Sequence, residues 1–210
     1  MKLQLALDDL NLFDAINLGQ EVRDYVDIFE IGTPFILKEG TDAIREFRKY
    51  FPEKEILADT KIVDAGKYES QLAFEAGADY CTVIAITDDL TIAACLEACK
   101  EYEKHVFVDT INTPNLDTRV ATLENMNVDR ISVHVGVDEQ TLGRTPLDEL
   151  RQVKRIANCS TISVAGGIDV ETIDKYIAEE PEIVIVGSGI TNAASPVGAA
   201  KTIFNKIHKK

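Results

Sequence analysis

Eight short β-rich runs, each followed by a helical pattern, occupy nearly all of a 210-residue chain that has no linker or low-complexity stretch. That alternation predicts an α/β chain folded as a single (β/α)8 TIM barrel over residues 1–210, almost free of insertions. The runs are 3–7, 26–31, 55–58, 80–84, 105–108, 130–133, 161–164 and 183–186, spaced by about a strand, a loop and a helix. The first alternates directly from Met1-Lys2. Between later runs, 91–102 is rich in Ala, Leu, Glu and Lys, and 116–126 spaces Val120, Leu123 and Met126 along one face. Gly77 follows Phe74-Glu75-Ala76 as a helix-ending glycine does. An open doubly wound sheet is the alternative. It calls for a G-x-G-x-x-G turn after the first strand, where this chain has Asp8-Asp9-Leu10-Asn11.

Hydrophobic residues make up 45% of the chain, ample for one core. Thirty-six acidic against 22 basic residues give a net charge of −14, which excludes a nucleic-acid partner. The same charge repels an anionic metabolite, so a phosphate must be held by local dipoles, a lysine or a metal. No apolar run approaches the ~20 residues of a membrane span, and no targeting segment precedes the first strand. Cys81, Cys95, Cys99 and Cys159 lack metal-ligand spacing, so reduced, packed thiols in a cytoplasmic protein are expected.

A barrel builds its active site at the C-terminal strand ends. Those ends carry Asp8, Glu30, Asp59 with Lys61, Asp109 and His134, then Gly166-Gly167 and Gly187-Ser188-Gly189. Charged groups converging on one mouth need pairing or a ligand. Within Asp59-Thr60-Lys61-Ile62-Val63-Asp64, Asp59 and Lys61 stand two apart and share one face of an extended segment. A solvated loop with a salt bridge worth at most ~1 kcal/mol presents the same pattern. The position directly after Ile56-Leu57-Ala58 favours the functional reading. His134 is the natural general base, since imidazole titrates nearest neutrality, although a satisfied core histidine is the alternative. His105 opens a strand at the opposite, stability face, and His208 lies in the basic tail 206–210. The two glycine loops suit an anion site built from exposed N–H groups, and tight turns would use the same residues.

Asp8, Glu30, Asp59-x-Lys61-x-x-Asp64, His134 and the two glycine loops resemble the orotidine-5′-phosphate decarboxylase suprafamily over the whole chain. Orotidine-phosphate decarboxylases carry a lysine where this chain has Glu30, and the carboxylate is similar to that of the magnesium-dependent branch. That branch contains a keto-gulonate phosphate decarboxylase type and an aldolase type that joins formaldehyde to D-ribulose 5-phosphate. The decarboxylase type has Glu, Arg and Thr where this chain has Asp109, Val137 and Ala165, and all three resemble the aldolase type instead. The runs 30–34 and 164–168 are also similar to that type. The resemblance implies an enediolate intermediate, a Mg²⁺ ion on Glu30 and Asp59, and a sugar phosphate with formaldehyde as small-molecule partners. Asp8, Val137 and Ala165 would contact substrate, with Lys61, Asp64 and Asp109 in the catalytic set. The resemblance further implies a homodimer with shared active sites, Asp64 reaching beside the partner's Lys61, although aspartate at this point is also a common N-cap. The decarboxylase branch has an arginine where this chain has Ser188, so neutralisation of the phosphate is left without an assigned cation. An epimerase barrel would need paired histidines at the strand ends, and only His134 is there. A non-catalytic metabolite-binding barrel would have no need of a converging acid–lysine–acid cluster.

Overall fold

Alternation along each strand divides its side chains between the barrel interior and the surrounding helices. The computed structural model describes residues 1–208. Strands β1 (Lys2–Leu7), β2 (Ile28–Ile31), β3 (Glu55–Ile62), β4 (Tyr80–Ile84), β5 (His105–Asp109), β6 (Arg130–His134), β7 (Thr161–Ala165) and β8 (Ile183–Val186) close in that order into a parallel barrel. Leu3, Leu5, Leu7, Phe29, Ile31 and Ile56 belong to the large buried core that the helices cover. The helix Asp42–Tyr50 buries Ala43, Ile44 and Phe47, whose ring sits 5.6 Å from that of Phe29. Truncating such a buried ring to alanine costs ~3–5 kcal/mol.

The strand register sorts the interior into layers, each drawn from alternate strands. Pairing of Gln4 with Ile28, Glu30 with Leu57, Leu57 with Tyr80, Thr82 with Phe107 and Ser163 with Ile183 fixes the order. Ile28, Tyr80, Arg130 and Ile183 lie lowest. Above them come Gln4, Leu57, Phe107 and Ser163, then Glu30, Thr82, Ser132 and Ile185, then Ala6, Asp59, Asp109 and Ala165. The Arg130 guanidinium lies 5.6 Å from the Tyr80 ring and 5.9 Å from that of Phe107, closing the bottom with a cation on two aromatic faces. Carboxylates enter only in the two upper layers, nearest the mouth.

Most strand limits agree with the sequence reading to within one residue; two differ. The second strand begins at Ile28 because Arg23–Tyr25 forms a 3₁₀ turn before it. The third runs to Ile62, four residues further than expected, with its register against β4 shifting between Ala58 and Ile62. Lys61 there has φ 46, so Asp59 and Lys61 are not on one face of a regular strand. The left-handed turn brings them together. The helix expected over 91–102 starts earlier, at Asp89, because the Asp88 carboxylate accepts the Leu90 N–H as an N-cap. The helix expected over 116–126 spans Leu116–Asn125. Gly77 takes φ 109 beyond the helix Gly66–Glu75, as expected.

Cys81, Cys95 and Cys99 are buried free thiols, whereas Cys159 is exposed, contrary to the expectation that all four are packed. It sits in the short connection 157–160 ahead of β7, outside the packed core. His105 is half-buried, 3.1 Å from Asp129 Oδ2, and His208 is exposed against the Phe204 carbonyl. Lys209 and Lys210 of the basic tail lie outside the described residues. Among the described residues, no helix is long and apolar enough to cross a membrane.

Candidate active site

The C-terminal strand ends surround a cavity of about 530 Å³ that reaches three layers down into the barrel. Asp8, Glu30, Asp59, Lys61, Asp109, His134, Val137, Ala165, Gly166, Gly167, Gly187 and Ser188 all line it. Asp64 and Gly189 do not. Gly189 packs its Cα against Ile168 and Asp169, where a Cβ would come within 2.3 Å of a carbonyl oxygen. Asp64 is exposed beyond β3 and accepts the N–H of Ala65 at 2.7 Å. It is not the N-cap of the next helix; that place is taken by Ala65, at φ 51.

One chain of hydrogen bonds and ion pairs crosses the mouth. Thr82 donates its hydroxyl to Asp59 Oδ1 at 2.8 Å and accepts the Lys61 N–H at 2.9 Å. The Thr33 hydroxyl lies 2.9 Å from Asp59 Oδ2, which also receives the Lys61 ammonium. Lys61 Nζ stands 3.9 Å from Asp109 Oδ2, the same oxygen that lies 2.9 Å from His134 Nδ1. Asp109 Oδ1 accepts the Ile111 N–H at 2.9 Å, which fixes the carboxylate plane. The acceptor role of Asp109 assigns the proton to His134 Nδ1 and leaves Nε2 as the free lone pair. No described residue bonds to that nitrogen.

Burial and charge set the protonation states. Burial, then repulsion from Asp59, pushes Glu30 up to about 8, against the Gln4 amide that donates to it at 2.6 Å. Burial also raises Asp59, but the Lys61 charge and the bonds from Lys61, Thr82 and Thr33 hold it below the usual range. Burial followed by the Asp59 charge raises Asp8. Burial pulls Lys61 and His134 down; the charges of Asp59 and Asp109 on the lysine, and the Asp109 bond and charge on the histidine, leave both above their ordinary values.

Five carboxylates (Asp8, Asp9, Glu30, Asp59, Asp109) line this cavity against one lysine and one histidine. The imbalance favours a further cation. Glu30 and Asp59 occupy adjacent interior layers as hard oxygen donors, and Glu30 has no cationic partner of its own. Among the described residues, no group of three or more His, Cys, Asp or Glu side chains forms a cage for a metal. A two-carboxylate set suits Mg²⁺, which keeps waters and shares substrate oxygens, and it does not suit a closed zinc site. The residues present fit magnesium.

Gly166 and Gly167 adopt φ 125 and 64, and a Cβ on Gly166 would lie 2.6 Å from the Val135 carbonyl oxygen. No arginine lines the cavity. Gln4, Thr33, Thr82, Ser132 and Ser163 are lining residues that the reading of strand ends missed. Gln4 was findable as the polar residue within Leu3-Gln4-Leu5-Ala6-Leu7, facing inwards by the two-residue period. Gly32 was not, because its role is steric: a Cβ there would lie 2.0 Å from Asp8 Oδ1.

A closed barrel with an acid–lysine–acid–histidine chain at its strand ends defines a barrel enzyme. Residues 1–203 match the model of the orotidine 5′-phosphate decarboxylase / HUMPS family. The chain belongs to that family and is an enzyme of the lyase class. It is 45% identical over 210 residues to a 3-hexulose-6-phosphate synthase of Staphylococcus epidermidis, covering 100% of each chain. The crystal structure of 3-hexulose-6-phosphate synthase from Salmonella typhimurium superposes with a TM-score of 0.97 at 48% identity, over 99% of this chain and 98% of that one. A 3-keto-L-gulonate-6-phosphate decarboxylase from Vibrio cholerae superposes at 0.85 with 29% identity, over 98% and 96%.

Proposed function

We propose that this enzyme joins formaldehyde to carbon 1 of D-ribulose 5-phosphate, giving D-arabino-hex-3-ulose 6-phosphate reversibly through a 1,2-enediolate. The observation that carries the reading is the His134–Asp109–Lys61–Asp59 chain beside the buried Glu30. The synthase relatives, at 45% and 48% identity, support it over the decarboxylase at 29%.

His134 Nε2 takes the proton from carbon 1, and the electron pair left behind forms the enediolate. Asp109 holds the imidazole in the tautomer that leaves Nε2 free, and favours the imidazolium that results. Lys61, kept charged between Asp59 and Asp109, sets a positive field before charge develops. Carbon 1 then bonds to the formaldehyde carbon, and the new alkoxide takes back the proton from His134. Glu30 and Asp59 are the residues that would hold Mg²⁺, which when bound would supply positive charge to stabilise the developing negative charge. Asp8 and Ala165 border the sugar, and Val137 the distal rim. Backbone N–H groups around Gly166, Gly167, Gly187 and Ser188 bind the phosphate, with Gly189 serving the packing of that loop.

The reading includes a homodimer in a cytoplasmic setting. Asp64 does not line its own cavity, and Val63, Tyr68, Ile86 and Leu90 around the same loops are exposed apolar side chains. A twofold partner would cover them and bring its own Asp64 to the site.

The deciding assay supplies ribulose 5-phosphate, formaldehyde and Mg²⁺ and measures hexulose phosphate, in parallel with keto-gulonate 6-phosphate scored for carbon dioxide. Condensation should dominate, vanish in EDTA and return with Mg²⁺. Decarboxylation as the faster reaction would overturn the assignment, and full activity in chelator would remove the metal from it.

A further inference from the structure

The second layer of the barrel holds two polar side chains where branched apolar residues are the rule. Gln4 is 0% exposed and Ser163 is 1% exposed, and both border the cavity from below. Gln4 gives one amide hydrogen to Glu30 Oε2, so its Oε1 faces elsewhere, and that oxygen has no hydrogen-bond partner. Nor does Ser163 Oγ. The amide cannot turn over once Glu30 is ionised, because its oxygen would then oppose a carboxylate. A buried polar atom without a partner costs ~1–3 kcal/mol, so two of them on residues of one layer bordering the cavity point to an occupant.

The chemistry of that occupant follows from the walls. Gln4 Oε1 only accepts, so the occupant must bring an O–H or N–H. Ser163 can give or take a hydrogen bond. Leu57 and Phe107 complete the layer and offer nothing to a charge, and Glu30 directly above, once ionised, repels an anion. A bare aldehyde has no hydrogen to donate. What fits is a small, neutral, hydroxyl-bearing molecule.

We propose that Gln4 Oε1 and Ser163 Oγ form a floor subsite for such a molecule, filled by water or by methanediol, the hydrate of formaldehyde. The subsite itself stands on the two orphan atoms alone; the second source rests on the functional reading above. Either occupant would steady the Gln4 amide, making Gln4 a positioning residue for Glu30.

Crystal structures of the parent and of Ser163→Ala and Gln4→Met variants, each with and without a formaldehyde soak, test the subsite. An oxygen peak within ~2.7–3.2 Å of both atoms should be present in the parent and weakened or lost in the variants. A dry floor in the parent, or Gln4 Oε1 bonded to another protein group, would overturn it. The source is read from the soak and from kinetics. Methanediol predicts a larger peak after soaking, and a formaldehyde KM that rises about 2–10-fold relative to that for ribulose 5-phosphate in Ser163→Ala. Water predicts an unchanged peak and an unchanged ratio of the two KM values. A parent without condensation activity would sink the functional reading and leave the density to decide the subsite.

Discussion

Adding one methyl group at Gly32 should damage the site through Asp8. The backbone there has φ −64 and ψ 157, which alanine adopts freely, so the whole effect is steric. The new Cβ would stand 2.0 Å from Asp8 Oδ1 and 2.7 Å from the Leu7 carbonyl oxygen, where real contacts stay beyond 3.0 Å. The carboxylate must therefore retreat by about 1 Å. The carbonyl is less free to yield, because it accepts the Gly32 N–H at 2.9 Å. Overpacking of this kind costs ~1–3 kcal/mol. For a chain of this length each kcal/mol lowers Tm by ~2–4 °C, so Gly32→Ala should melt about 2–12 °C below the parent. A 1 Å displacement of a site group costs ~10²-fold in rate, and kcat/KM for condensation should fall by about that factor. Thermal unfolding and initial-rate kinetics measure the two. A Gly32→Ala protein with parental Tm and kcat/KM would refute the reasoning.

Four further outcomes are expected. His134→Gln should fold normally but lose ~10²–10⁴-fold in exchange of the carbon 1 proton with deuterium. In the parent that exchange should decline as pH falls through a value above the ordinary 6.5 of histidine, because the base must be neutral, and Asp109→Asn should move the inflection lower. An inflection that stays put would uncouple the pair. Glu30 keeps its proton longer in the folded state, so without divalent ion its contribution is intact below about 4.5 and is lost as pH rises through about 8. Metal-free parent should therefore lose stability between those limits relative to Glu30→Gln, and Mg²⁺ should restore it; identical pH profiles in denaturant melts would contradict this. Mixed Asp64→Asn and Lys61→Ala proteins, each inactive alone, should recover roughly a quarter of parental activity after subunit exchange, since half the dimers regain one of two sites; no recovery would place Asp64 within its own barrel. Asp109→Glu, Val137→Arg and Ala165→Thr together should shift the ratio of condensation to keto-gulonate decarboxylation towards the latter, with effects that do not add at sites sharing one cavity. An unchanged ratio would put specificity elsewhere.

The sequence by itself determined the barrel, because eight apolar runs separated by helix-length segments leave little else to build. It also determined most of the site. A strand end is a sequence position, so Asp8, Glu30, Asp59, Asp109 and His134 could be read as neighbours before any coordinates. Tertiary structure alone decided what depends on distance and close approach. The left-handed Lys61 joins Asp59 to Asp109 through a register shift that no period of two predicts. Gly32 yields room to Asp8 from the neighbouring strand's loop, and Asp64 and Gly189 stay out of the lining of the cavity that their neighbours border. The interior layers are likewise a product of closure, since Gln4 and Ser163, 159 positions apart in the chain, share a layer only when β8 pairs with β1. Periodicity tells a residue which side of its own strand it occupies; only the closed sheet tells it what stands opposite.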